Sequence, residues 1–195
     1  VHLDTATSVA TPYSNWPVGM TPASASVYLF LGAVYDGQYI WMSPADTSMI
    51  VRFDTESGNM MGLSNWPAGY TGQLRGAAFD PSTKSLWFVP YSANMVLRLM
   101  AVTFTETESG TGFIRATDGA TGSSVERYAA DPLHGPDYQI KGYDNWSSGG
   151  IIKTSSLTFY GGVFIGDYLW MVPHSDDALV TKMHKESGNM TKYGL

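Results

Sequence analysis

Short apolar runs alternate with polar positions at a period of two, and turn-forming residues cut the runs every few positions. Ala33-Val34-Tyr35 and Tyr39-Ile40-Trp41-Met42 flank Asp36-Gly37. Asp and Gly tolerate the positive φ of tight primed turns, so this stretch predicts a β-hairpin. Asp80-Pro81 and Gly166-Asp167 stand between comparable runs and predict two more. Met49 to Phe53 predicts a third strand, Glu56-Ser57-Gly58-Asn59 a turn, and Met60 to Leu63 a fourth strand. No stretch carries the 3.6-residue period of a helix.

The pattern repeats. LGAVYDGQYIWMSP (31–44), RGAAFDPSTKSLWFVP (75–90) and YGGVFIGDYLWMVP (160–173) share a glycine, an apolar run, a turn, then Trp and Pro. Their leading glycines, Gly32, Gly76 and Gly161, are spaced by 44 and 85 residues. VRFDTESGNMMGLSNWP (51–67) aligns without gaps on VHLDTATSVATPYSNWP (1–17), and ESGNM recurs at 186–190. Four short strands per unit of about 44 residues match a β-propeller blade, which must stack on neighbours to bury its faces. The expected fold is all-β: a propeller or partial propeller of about four blades, each of four antiparallel strands. Residues 1–17 read as a half blade, 31–67 as a blade, 75–104 as the start of another, and 160–195 as the last. Residues 105–146 read either as a diverged blade or as an insertion. The chain opens on Val1, without Met and on half a unit, so residues 1–195 read as one repeat domain that is either a piece of a longer array or one whose residues 1–17 pair in a different way.

Trp41, Trp87 and Trp170 recur at one position of the unit and are expected to fill the space between blades. Met42, Met49, Met60, Met61, Met171 and Met190 are expected to pack there as flexible gap fillers. The units resemble kelch-like and YncE- or NHL-like propeller repeats, with the form GGxxxDGxxIWxVP…TGxMTxYxxWP. The kelch double glycine is intact at Gly161-Gly162, whereas the other copies read Gly-Ala. The resemblance covers residues 1–100 and 138–195. It implies binding or scaffolding more than catalysis.

Composition narrows the classes. The 195 residues suffice for one domain with a sizeable core. Aromatics reach 13% while charged residues are only 14%, which suits a turn-rich folded β protein. A net charge of −6 with no basic run speaks against nucleic acid and anionic membranes as partners. No apolar run is long enough for a membrane-spanning helix. Cysteine is absent, which excludes disulfides and thiolate chemistry. Asn145-Trp146-Ser147 and Asn189-Met190-Thr191 fit the glycosylation pattern and lean the reading towards a secreted protein.

Candidate chemistry is sparse. In a propeller the loops after the second and fourth strands share one face. Pro90-Tyr91-Ser92-Ala93-Asn94 and Pro173-His174-Ser175-Asp176-Asp177 vary there against a fixed framework, as binding loops do. Tyr91, Asn94, His174, Ser175, Asp176 and Asp177 are therefore binding candidates. Trp16, Trp66 and Trp146 open the linkers; they either stack on sugar rings or lock each linker onto the neighbouring blade. His2 and His184 read as strand-three positions shared with Arg52, and His134 and His174 as loop residues. No GxSxG, HExxH, EF-hand or phosphate-cradling loop occurs, so neither a cofactor nor a metal site is expected. The leading reading is a non-enzymatic interaction module with a protein partner or neighbouring subunits. The alternatives are a glycan-binding propeller, and a hydrolase or lyase using His174 with Asp176 or Asp177.

Overall fold

A computed structural model describes residues 2–20, 28–102, 114–117, 124–127, 137–151, 159–174 and 179–193. The chain opens with a two-stranded hairpin, β1 (His2–Asp4) and β2 (Val9–Thr11). The first blade is a four-stranded antiparallel meander of β3 (Phe30–Tyr35), β4 (Tyr39–Pro44), β5 (Ile50–Asp54) and β6 (Met60–Leu63). The second blade begins with β7 (Leu74–Asp80), β8 (Ser85–Pro90) and β9 (Val96–Val102). A separate hairpin of β10 (Ile114–Thr117) and β11 (Ser124–Arg127) follows, and then β12 (Asp137–Tyr143) pairs with β9 as the fourth strand of that blade. The third blade is β13 (Phe159–Ile165), β14 (Tyr168–Pro173), β15 (Val180–His184) and β16 (Met190–Tyr193). The helical content among the described residues is one 3₁₀ turn, Trp146–Gly149.

The blades fan around their innermost strands: β3 lies against β7, and β7 against β13. These contacts require glycine. A Cβ on Gly32 would stand 2.8 Å from Gly76 Cα, and one on Gly76 would stand 2.8 Å from Gly161 Cα. Both residues also have positive φ, +106° and +78°, where a side chain strains the backbone. The chain is thus an open, partial β-propeller, with its strands radiating from a line of touching glycines.

The cores lie between blades. Trp41, Ile50, Leu74, Leu86, Phe88, Met95, Leu97 and Leu99 fill the first gap. Trp87, Val89, Val96, Phe159, Leu169, Met171, Met183 and Met190 fill the second. Trp41 is 1% exposed and lies edge-on to Tyr138 of the second blade, ring centroids 5.0 Å apart. Trp87 is fully buried between Tyr143 and Phe164. Trp170 departs from the expectation for this position. It is only half buried and stacks on Tyr193 of its own blade, because no further blade covers that side among the described residues.

Turns follow the sequence chemistry. Asp36 Oδ1 accepts the N–H groups of Gln38 and Tyr39, and its Oδ2 accepts Trp41 Nε1–H at 2.7 Å. One carboxylate thereby closes the hairpin and fixes the indole. Asp4 and Asp54 cap the outer turns in the same way. The position assigned to His184 needs correction. Lys182, not His184, faces Trp170 as Arg52 faces Trp41. His184 stands where the first blade has Asp54, and its Nδ1 accepts the N–H groups of Glu186 and Ser187 at 3.4 and 3.3 Å. The earlier equivalence was two residues out of register, and an imidazole does the capping work of a carboxylate.

One ion-pair network joins the second and third blades. Lys185 Nζ lies 3.3 Å from Asp80 Oδ2 and 3.1 Å from Asp167 Oδ1, and donates to Ser82 Oγ at 2.8 Å. Burial pushes the Asp80 carboxyl up. Hydrogen bonds from Ser82, Thr83 and Lys185 outweigh it and bring the pKa to about 2, against an ordinary 3.8. A group whose folded pKa is depressed stabilises the fold above its unfolded pKa and loses that contribution as pH falls through the folded value. Denaturant midpoints are therefore expected to drop between pH 4 and pH 2 in the wild type. Asp80→Asn should lower the midpoint at pH 7 and flatten that acid limb. An unchanged limb in the variant would remove Asp80 from the account.

Candidate functional site

The linkers act as clasps. Asn15 Nδ2 donates to Gly58 O at 3.1 Å, Asn65 Nδ2 to Tyr138 O at 3.2 Å, and Asn145 Nδ2 to Asn189 Oδ1 at 3.0 Å. Each Asn reaches the next blade. The bond between Asn145 and Asn189 ties together the acceptor residues of both glycosylation triplets. Trp66 Nε1 donates to Ser48 O at 3.2 Å while its ring stacks on Tyr70. Trp146 is 5% exposed, donates to Asn94 O at 2.7 Å and stacks on Phe159. Trp16 also stacks on the inner strand, against Phe30, but is 41% exposed. Two of the three linker indoles are therefore turned into the fold.

Asn94 is a clasp as well. Its Oδ1 accepts Thr71 N–H at 3.0 Å and its Nδ2 donates to Gly69 O at 2.8 Å. Ser175, Asp176 and Asp177, like His134, lie outside the described residues.

Tyr91 and His174 do come together, around residues that the sequence reading passed over. Each innermost strand bears a β-bulge, between Phe30 and Ala33, between Leu74 and Ala77, and between Phe159 and Gly161. A bulge re-aims a side chain out of the ladder. Here the bulges present Leu31, Arg75 and Tyr160, which line one cavity of about 370 Å³ together with Phe30, Gly32 and Gly76. The Arg75 guanidinium carbon lies 3.9 Å from the Tyr160 ring centre and 5.1 Å from that of Tyr91. The two tyrosine rings are parallel within 4°. His174 packs edge-on against Tyr160, centroids 3.9 Å apart. The available signal was the residue before each repeated glycine, which reads Leu, Arg and Tyr in turn.

A second candidate surface is the side of the third blade that faces away from the second. Val163, Trp170 and Lys182 stand in cross-strand register there, as Val34, Trp41 and Arg52 do in the first blade. In the first blade that side is covered. In the third, Val163, Ile165, Val172, Val180 and Tyr193 are exposed, Ile165 by 61%. A third concavity, of about 490 Å³, opens between the first two blades and is lined by Asp36, Tyr39, Lys84 and Tyr138 among others.

No family model matches the sequence, and no curated protein matches it. Among solved structures, a chain of a nidogen–laminin complex is 10% identical, with a TM-score of 0.31, over 84% of this chain and 80% of that one. The WD40 β-propeller domain of Doa1 is 10% identical, with a TM-score of 0.30, over 89% of this chain and 72% of that one. The assignment of this chain as a partial propeller rests on its own strand order and glycine axis.

Proposed function

We propose that this protein is a non-enzymatic propeller module that binds a protein partner, or a neighbouring subunit, through the open side of its third blade. The supporting observation is that Val163 is exposed and Trp170 only half buried at repeat positions where the second blade buries Ala78 and Trp87 and the first buries Trp41, with Ile165 exposed beside them. A partner presenting a blade-like apolar sheet face would complete the interface on the pattern used inside the molecule. A contiguous apolar surface of this kind commonly marks an interaction site. The chain acts in this reading as one repeat domain of a larger assembly, with repeats of the kelch-like or NHL-like kind. The glycan-binding alternative retains Trp16 as its exposed indole, and the hydrolase alternative retains His174; the uncovered face favours the protein partner over both.

Sedimentation over a range of concentrations tests the proposal. The wild type is expected to self-associate and to bind an apolar dye, and Val163→Lys with Ile165→Lys should suppress both with little change in the melting curve. A monodisperse monomer that binds no dye, and whose behaviour the double substitution leaves unaltered, would sink it.

A further inference from the structure

We propose that the axial cavity beside Arg75 is a binding site for a carboxylate carried on an apolar stem. The proposal does not depend on the protein partner, because the cavity sits at the centre of the arc and not on its open side.

Like Arg98, which lies over Trp87 inside the core, Arg75 has aromatic rings as its described partners, and of the two it is Arg75 that lines a cavity. Among the described residues no carboxylate and no hydrogen-bond acceptor meets its guanidinium, in a chain with 17 acidic against 11 basic residues. Its described partners are the Tyr160 and Tyr91 rings. The two ring centres are 6.5 Å apart, so the rings do not sandwich the guanidinium, and a ring that takes its flat side leaves N–H donors unused. The N–H edge of a guanidinium presents paired donors at the spacing of a carboxylate's two oxygens.

The remaining lining defines the rest of the ligand. Phe30 and Leu31 make one wall apolar, while Gly32 and Gly76 contribute backbone alone. Among the described residues of the lining, Arg75 is the one that is charged. A single cation balances a single negative charge, so a monocarboxylate fits the site, whereas a phosphate dianion would bring charge that nothing here meets. The cavity, of about 370 Å³, is shallow and widely open to solvent, and is at the small end of ligand sites. It suits an acid the size of benzoate, or the final residue of a peptide ending in an apolar side chain. Both sources offer the same chemistry.

The test uses benzoate, its neutral isostere benzamide, inorganic phosphate, and acetyl-Gly-Phe as free acid and as amide. Binding is followed by calorimetry and by the Nε–H resonances of ¹⁵N-labelled arginine. The Arg75 resonance is expected to shift with benzoate, and benzamide to bind at least about tenfold more weakly, as loss of a charge-assisted bond implies. Arg75→Leu should reduce benzoate affinity by a similar factor with the fold retained, since the first blade carries Leu31 at the same bulge. Should Arg75→Leu not fold, Arg75→Lys keeps the charge, loses the planar fork and should still weaken binding. Tighter binding of the peptide acid than of benzoate would assign the source as a chain terminus, and the reverse a free small acid. Equal binding of benzoate and benzamide, an unmoved Arg75 resonance, phosphate binding better than benzoate, or binding of no probe at about tenfold above a millimolar dissociation constant would each overturn the proposal.

Discussion

Trp87→Ala is expected to destabilise the protein by about 4 kcal/mol, within the range for truncating a fully buried tryptophan. Trp170→Ala at the same repeat position should cost about 1 kcal/mol or less, close to the worth of one aromatic pair. The difference comes from surroundings alone. Trp87 is 0% exposed, donates from Nε1 to Ser85 Oγ at 2.9 Å, and is packed by Phe164 from the neighbouring blade. Trp170 has Tyr193 and the Lys182 ammonium, both from its own blade. Urea denaturation of the two variants measures the contrast. Since a whole domain is stable by only about 5–15 kcal/mol, the first variant should lose much of its margin. Equal losses would mean that the outer side of the third blade is covered in solution, and would supply direct support for the assembly reading.

The glycine axis gives the second large contrast. Gly76→Ala places a methyl group 2.8 Å from Gly161 Cα and from Tyr160 O, on a backbone with φ of +78°. Left-handed strain costs about 1–2 kcal/mol and forced overpacking about 1–3, so a loss of about 3 kcal/mol is expected. For a chain of this size that corresponds to a melting temperature lower by about 10 °C. Gly161→Ala meets nothing within 4 Å and should be neutral, or slightly stabilising through the unfolded chain. Calorimetry of the two variants decides it; similar losses at both positions would mean that the blades do not meet glycine to glycine.

How much of this was readable in the chain depends on where the cause of each feature lies. Hairpins were legible because Asp36-Gly37 and the alternation around it are local. The opening hairpin of β1 and β2 was legible because residues 1–17 and 51–67 share a register. Trp170 was misjudged because burial belongs to the neighbouring blade, and the letter Trp is the same whether or not a neighbour is present. His184 was misplaced by two positions because it was matched by strand and not by register, although the shared ESGNM at 56–60 and 186–190 sets it opposite Asp54. The binding candidates were sought in loops, where variation is expected. Asn94 proved to be a clasp, whereas Tyr91 and His174 met around Arg75 and Tyr160. Those last two were overlooked because a bulge is invisible to period-two counting: it consists of the one residue that breaks the count.

That breakage has a consequence for how the molecule can change. Leu31, Arg75 and Tyr160 stand outside the pairing ladder of their strands, and none belongs to the two interblade cores. Their identities are therefore decoupled from the packing that sets stability. The inner rim works as three sockets on a fixed chassis, refilled one at a time without rebuilding what holds it. Within that logic the triplet Leu-Arg-Tyr is a setting of the molecule, and a different triplet on the same blades would give the rim a different chemistry.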